Sequence, residues 1–164
     1  MHFDATDRRL LTGLTVAGLA VLVLLPTTVA ATDSLAVVVS PDVEIDELPF
    51  TELRKIMLGD RQFWKSGKRI TLIVRGPDSP EREQLLKQVY KMNEAQFRQY
   101  WIAKVFRAEI PSQPRIVVSN DEAVDLIGVM EGGITVVNAA DVPEGLKVLK
   151  IGGKSPGEAG YLGK

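Results

Sequence analysis

The polar turn at residues 75–79 is the stretch of this chain whose residue types and position are best suited to binding a ligand. It follows the apolar run Ile70–Val74, and the serine at its end, Ser79, precedes a helix-like segment. Because backbone N–H groups at the start of a helix favour negative charge, this arrangement indicates a site for a small anion.

The same turn has a second, structural interpretation. Ser79 is of the type preferred at a helix N-cap, and Pro80 fits the first helical position, where no N–H is needed. The carboxylates of Asp78, Glu81 and Glu83 could form an acid–base pair or a cation site. Acidic residues are also favoured in the first turn of a helix by the helix dipole. We prefer this simpler explanation and predict no catalysis from them.

Composition excludes several kinds of site from the folded part of the chain. The sequence has no cysteine, and its one histidine is His2. Disulfides and thiol catalysis are therefore excluded, and so are a Ser–His–Asp triad and a zinc site built on histidine and cysteine. The formal net charge of −1 gives no overall attraction to nucleic acid. We predict a protein that is not an enzyme, needs no cofactor or metal and binds no nucleic acid.

A second candidate surface is the loop 61–69, in which basic and aromatic residues occur together. Its members are Arg61, Phe63, Trp64, Lys65, Lys68 and Arg69. Such a mixture can bind an anionic partner. The alternative is that Trp64 anchors the loop to the core while the basic side chains are solvated, as charged runs usually are. We favour the anchoring role.

Apolar runs and helical spacing predict the elements of the fold. The runs Leu35–Val39 and Ile70–Val74 are continuous and mostly β-branched, as expected of strands buried on both faces. The other predicted elements are helices beginning near Phe50, Ser79, Asn93 and Ser119, and strands at Arg115–Val118, Ile134–Val137 and Leu146–Ile151. This alternation predicts an α/β fold with a mainly parallel mixed sheet flanked by helices, in one domain at 32–151.

An aromatic repeat follows Asn93 in the chain. Phe97, Tyr100, Trp101 and Val105 recur at intervals of three and four residues. They could form a platform for a ligand, but this spacing is typical of the buried face of a helix. We predict that they belong to the core.

Both ends of the chain are predicted to lie outside the folded domain. Residues 1–31 combine Arg8 and Arg9 with a long uncharged run and small residues near Ala31, which is the plan of a secretory signal peptide. The alternative is an uncleaved anchor, because the run reaches the ~20 residues that span a bilayer. Either way the domain is exported, to the periplasm or outside the cell, and meets the membrane only through the leader if this is uncleaved. Residues 152–164 are rich in glycine and lysine and are predicted to be a flexible tail.

Three segments, in this order, resemble a known family. Leu48–Trp64 (LPFTELRKIMLGDRQFW), Ile70–Glu83 (ITLIVRGPDSPERE) and Val117–Val137 (VVSNDEAVDLIGVMEGGITVV) are similar to successive motifs of the phosphate-binding proteins of ABC transporters. Their order and spacing match, and together they cover most of the chain after the leader. The chain therefore resembles the phosphate-binding-like branch of the type II periplasmic binding protein superfamily, in a short single-lobe form.

The resemblance implies an anion site. Members of this family have two lobes with the anion between them, and a serine–glycine–threonine turn donates hydroxyl and backbone N–H groups to phosphate. By matching position, Ser79 is the hydroxyl donor, Arg75 the arginine at the strand end and Arg82 the basic residue at the helix start. Pro80 and Glu81 stand where the family has glycine and threonine, so the turn loses an N–H donor and gains a carboxylate.

Two functions are compatible with the sequence. The first is an exported, non-enzymatic solute-binding-like domain that binds phosphate or another small oxyanion weakly at a helix N-terminus. The second is an envelope protein-interaction module, which uses the same fold without a small ligand. A concave pocket with free N–H groups favours the first function, and a flat apolar patch favours the second.

Overall fold

Seven strands form two sheets in the computed structural model, which describes residues 34–163; the predicted leader lies outside this range. The strands are β1 (Leu35–Val39), β2 (Glu47–Leu48), β3 (Thr71–Arg75), β4 (Arg115–Val117), β5 (Gly133–Asn138), β6 (Lys147–Val148) and β7 (Lys150–Ile151). Five of them make the main sheet in the order β4-β3-β5-β1-β6, while β2 and β7 pair in parallel as a small second sheet.

The main sheet is mixed, with a single reversed strand. β3 runs parallel to both β4 and β5, whereas β1 runs antiparallel to both β5 and β6. This confirms the predicted α/β architecture with a mainly parallel sheet. Because β3, β4 and β5 point the same way, their carboxyl ends meet at one edge of the sheet, which is where open α/β sheets place ligands.

Helices cover both faces of this sheet. They are α1 (Phe50–Met57), α2 (Pro80–Leu85), α3 (Glu94–Phe106) and α4 (Asn120–Val129), with a π-helical turn at Leu86–Tyr90 that prolongs α2 and a 3₁₀ turn at Ala139–Asp141. α1, α2 and α3 share a core with Val37 and Val39, and α4 packs against Ala36 and Val38 on the opposite face. Within residues 34–163 no helix is both long and apolar enough to cross a membrane.

Helix ends follow the predicted capping residues. The Asn93 side chain accepts a hydrogen bond from the Gln96 backbone N–H, and the Gln96 side chain accepts one from Asn93 in return, each at 2.9 Å. After the C-terminal end of α1, Gly59 takes a left-handed conformation with φ of +70°. A side chain there would lie 3.0 Å from the ring of Trp101, so glycine allows both the turn and the close packing.

The aromatic repeat of α3 lies in the core, as predicted. Phe97 and Trp101 are buried, and Tyr100 packs against the same cluster. Their rings meet edge to face, with 4.8 Å between the ring centroids of Tyr90 and Phe97 and 6.0 Å between those of Phe97 and Trp101. This geometry is the favoured arrangement of aromatic pairs. The rings therefore hold α3 against the π-helical turn rather than forming a ligand platform.

The last predicted strand is divided between the two sheets. Residues 147–148 pair with β1, and residues 150–151 pair with β2. Leu149, between the two pieces, is fully buried, and its N–H donates to the Val37 carbonyl at 2.9 Å. Val148 packs against the cluster that contains Ala36 and Val38, whereas Leu149 and Ile151 belong to the main core, so the bend lets the segment contribute to both.

The prediction of a flexible tail is wrong for the part of it that the structure describes. Tyr161 and Leu162 are 5% and 4% exposed and belong to the main core. The Tyr161 hydroxyl donates to the Leu149 carbonyl at 2.7 Å and accepts from the Val37 N–H at 3.0 Å. The sequence did not indicate that this segment packs against the core, because two isolated core residues between glycine-rich turns show neither helical nor strand periodicity. We call residues 152–163 the C-terminal strap.

Removing the Tyr161 hydroxyl should destabilise the protein. Tyr161→Phe keeps the ring but leaves a buried N–H and a buried carbonyl without a partner, which costs about 1–3 kcal/mol. Tyr90→Phe is the matched control, because the buried Tyr90 hydroxyl has no hydrogen-bond partner in the described chain. Its removal should be neutral or stabilising in the same urea unfolding experiment. Equal effects from the two substitutions would contradict the role given to Tyr161.

Candidate functional site

Two hydrogen bonds of the Ser79 hydroxyl stabilise the polar turn between β3 and α2. Its hydroxyl donates to the Gly76 carbonyl at 3.0 Å and accepts from the Arg82 backbone N–H at 3.2 Å. Ser79 is thus the N-cap of α2, with Pro80 at the first helical position, as the sequence predicts. Asp78, just before it, has a left-handed backbone with φ of +67°. The one hydroxyl proton of Ser79 is therefore already used inside the turn.

The buried Arg82 side chain links α2 to two neighbouring elements. Its side chain is 2% exposed and forms a two-bond pair with Glu94, at 3.0 Å from Nε and 2.9 Å from Nη2. Nη1 donates to the Arg75 carbonyl at 3.0 Å, and the guanidinium lies 4.1 Å from the centroid of the Phe97 ring. These contacts tie α2 to α3 and to the end of β3. To bind an anion directly, Arg82 would have to give up Glu94.

Arg75 is placed differently from the other two predicted residues. It ends β3, and its side chain is 11% exposed. Its nearest counter-charge is Glu81, with 3.6 Å between Arg75 Nε and Glu81 Oε2. Nε and Nη1 are both buried and make no hydrogen bond to the described chain. Buried donors without partners are rare and mark places where a further group can bind. Arg75 is therefore the strongest candidate ligand residue of the three.

Two further residues, which the sequence did not indicate, belong to the candidate site around Arg75. Asn120 begins α4, and Asp141 lies in the 3₁₀ turn after β5. The Asn120 amide nitrogen donates to Glu81 Oε1 at 2.7 Å and to Asp141 Oδ2 at 2.6 Å. The Asn120 Oδ1 and Glu81 Oε2 atoms are buried and accept no hydrogen bond from the part of the chain that the structure describes. We call Arg75, Glu81, Asn120 and Asp141 the Arg75 cluster.

The cluster lies at the edge of the sheet where parallel strands end. β3 ends at Arg75, α4 begins just after β4, and Asp141 follows β5. Three different connections therefore bring polar side chains to one place. Its unpartnered donors and acceptors can hold a small polar or anionic group.

Three solved structures are among those that share this fold. They are PstS from Borrelia burgdorferi, an ABC-type phosphate transport receptor from Vibrio cholerae, and a protein from Clostridium perfringens described as a phosphate ABC transporter substrate-binding protein and solved with bound phosphate. Each aligns with a TM-score of 0.60, at sequence identities of 22%, 16% and 16%. The fold is that of phosphate ABC transporter substrate-binding proteins. No protein-family model and no curated protein sequence matches the chain.

The chain corresponds to about half of each phosphate-receptor structure. The alignments cover 76%, 76% and 75% of this chain but only 49%, 48% and 46% of the solved chains. This agrees with the short form of the fold that the sequence resemblance implied. The receptor fold accounts for the positions of the strands and helices, and the side chains of the Arg75 cluster have to be judged on their own contacts.

The basic loop of this receptor-like fold is anchored rather than free. Trp64 is 5% exposed, and its indole N–H donates to the Gly132 carbonyl at 3.0 Å. Arg61 pairs with Glu52 at 2.7 Å, and Lys68 pairs with Asp42 at 3.0 Å. Hydrogen bonds from Lys55 and Arg61 lower the pKa of the Glu52 carboxyl. The preferred explanation for Trp64 is confirmed, and two of the loop's four basic residues already have acidic partners.

The three carboxylates near Ser79 do not act as one group. Glu81 is buried in the Arg75 cluster, whereas Asp78 and Glu83 are exposed. Among residues 34–163 no three acidic, histidine or cysteine side chains come together in a way that could hold a metal ion. Glu81 is therefore part of the candidate site, while Glu83 serves as an ordinary first-turn acidic residue of α2.

Proposed function

We propose that the protein is an exported, non-enzymatic solute-binding-like domain that binds phosphate or another small oxyanion weakly, with Arg75 as its principal ligand. The single observation that supports this most is that Arg75 Nε and Nη1, at the carboxyl edge of β3, are buried and make no hydrogen bond within residues 34–163. Arginine forms strong charge-assisted hydrogen bonds with oxyanions. The shared receptor fold is consistent with the proposal.

Ser79 and Arg82 have supporting roles in this proposal. Ser79 holds the turn, and it donates to the anion only when its hydroxyl turns away from the Gly76 carbonyl. Arg82 fixes the end of β3 through the Arg75 carbonyl and so positions the Arg75 side chain. A small anion then meets one arginine, one hydroxyl and the competing Glu81 carboxylate.

We expect phosphate binding by the wild-type protein to be weak, in the ~mM range, which corresponds to about −4 kcal/mol. The double substitution Pro80→Gly and Glu81→Thr restores the serine–glycine–threonine turn. It removes the competing carboxylate and returns a backbone donor. Isothermal titration calorimetry should therefore show measurably tighter phosphate binding by the double variant than by the wild type.

The control for this titration is Arg75→Ala in the double-variant background, which should abolish the gain. Glu83→Thr in place of Glu81→Thr removes an exposed carboxylate from the same helix but leaves Glu81 in place, so this variant should lose the part of the gain that comes from removing the competing carboxylate. If the restored turn binds no phosphate at high protein concentration, the phosphate proposal fails.

The proposed export through residues 1–31 has its own test. A signal peptide with small residues near Ala31 is removed during secretion, so we expect a mature N-terminus at Ala31 or Thr32. Intact-mass measurement of the protein in the envelope fraction checks this. A mass that includes Met1 and the apolar run would show an anchored protein instead, and recovery from the cytoplasm would contradict export.

The second candidate function is an interaction module in the cell envelope. Several large apolar side chains favour it because they are unusually exposed: Phe106 by 90%, Val118 by 85% and Val129 by 80%. Exposed apolar groups are common singly, and they indicate a partner surface only where they form a patch. This function replaces ligand binding if the restored turn binds no anion.

A further inference from the structure

The Arg75 cluster in the described structure already surrounds one carboxylate, that of Glu81. Glu81 is 7% exposed, and its two oxygens face different donors: Oε1 accepts from the Asn120 amide at 2.7 Å, and Oε2 lies 3.6 Å from Arg75 Nε. A planar group with two oxygens therefore fits between the arginine and the amide. The positions of these donors indicate that the cluster is suited to a planar group with two oxygens.

The charges of the cluster also distinguish between kinds of anion. Arg75 supplies one positive charge, since the charge of Arg82 is paired with Glu94. Asp141 places a further carboxylate on the same Asn120 nitrogen, 2.6 Å away. A monovalent anion that replaces Glu81 leaves the net charge of the cluster unchanged. A phosphate dianion adds one more negative charge beside Asp141, which like-charge repulsion disfavours.

The Glu81 side chain lies close to solvent. It lies in the first turn of α2, next to Pro80, and both Pro80 and the turn residues Pro77 and Asp78 are exposed. The cluster is therefore just below the surface. A free anion that enters the cluster has to compete with the tethered Glu81 carboxylate.

We propose that the anion taken by this site is a monovalent carboxylate, that of a small organic acid, which replaces Glu81 between Arg75 and Asn120. This inference rests on the proposed function and specifies its ligand class. It makes Asn120 a second ligand residue beside Arg75. The same two residues that stabilise the Glu81 carboxylate would then bind the carboxylate of the ligand.

Chemical rescue of Glu81→Ala tests the proposal. This substitution removes the atoms of an acetate ion and leaves Arg75 and Asn120 facing the space. We expect acetate at tens of millimolar to raise the melting temperature of Glu81→Ala by several degrees relative to chloride at equal ionic strength. Phosphate at the same ionic strength should produce a smaller rise, because its second charge is repelled by Asp141. Acetate should also bind at least tenfold more tightly to Glu81→Ala than to the wild type, because no tethered carboxylate competes with it.

Two controls show whether the acetate effect arises at the Arg75 cluster. Glu83→Ala removes an exposed carboxylate from the same helix and should show no acetate effect. Arg75→Ala combined with Glu81→Ala should lose the rescue. An acetate effect of equal size in Glu83→Ala would overturn the proposal. If Glu81→Ala does not fold, acetate titration of the wild type, followed by the ¹⁵N NMR signal of Arg75 Nε, decides: a saturable shift supports the carboxylate site, and no shift overturns it.

The outcomes separate this inference from the proposed function. Stabilisation of Glu81→Ala by phosphate and not by acetate overturns the carboxylate class but supports oxyanion binding at Arg75. No effect of acetate, together with phosphate binding by the restored turn, likewise overturns the carboxylate class and supports oxyanion binding. No effect of either anion on any variant overturns both.

Discussion

Replacing Trp64 with alanine should lower the free energy of unfolding by about 3–5 kcal/mol, the range for removing a buried aromatic side chain. Trp64 is 5% exposed and belongs to the main core. Its indole N–H also satisfies the Gly132 carbonyl at 3.0 Å. The substitution therefore removes apolar packing and a buried hydrogen bond together, and it releases the loop 61–69 from the core.

Urea unfolding followed by circular dichroism measures this effect, and Phe63→Ala is the matched control. Phe63 precedes Trp64 in the same loop, but half of its surface is exposed. Its removal should cost about 1 kcal/mol or less, because the cost of truncation scales with the burial of the atoms removed. Similar losses for the two rings would show that Trp64 is not a core anchor and would favour a binding role for the loop.

Replacing Glu94 with alanine should cost about 3–5 kcal/mol, because it leaves the buried Arg82 charge without its partner. Arg82 is 2% exposed, and both carboxylate oxygens of Glu94 accept from it at 2.9–3.0 Å. Burying an unpaired charge is among the most costly changes in a protein. The loss should be visible as a lower urea midpoint with an unchanged slope.

Two variants show whether this loss comes from the buried charge. Glu83→Ala, on the exposed side of α2, should change the unfolding free energy by no more than about 0.5 kcal/mol, as surface substitutions usually do. Arg82→Met combined with Glu94→Ala should be more stable than Glu94→Ala alone, because no unpaired charge remains. A double variant no more stable than the single one would mean that packing of α3, rather than charge, carries the effect.

Local patterns in the sequence were sufficient to predict most of the helices and strands. The run Leu35–Val39 is observed as a strand with the same bounds, and the helix predicted from Asn93 begins with the expected capping box. These features depend on neighbouring residues, so a short window contains the necessary information. The same holds for Ser79, whose capping role follows from its place before Pro80.

The candidate site could be predicted only in part, because its members come from three connections. Arg75 was found through the family motif, but the arrangement that brings Glu81, Asn120 and Asp141 into one cluster with it depends on β3 lying between β4 and β5. No local pattern contains that strand order. The pairing of Arg82 with Glu94 was missed for a similar reason, since it joins two helices separated by the π-helical turn.

The C-terminal strap brings the two ends of the described chain together. Ser34 and Leu35 line the same cavity, of about 460 Å³, as residues 157–162 of the strap. A lobe whose entry and exit points are adjacent can be joined to another polypeptide at one position, within a loop as readily as at an end. The described lobe therefore has the geometry of a domain that tolerates insertion into another polypeptide, with the Tyr161 hydrogen bonds holding its last segment against the core.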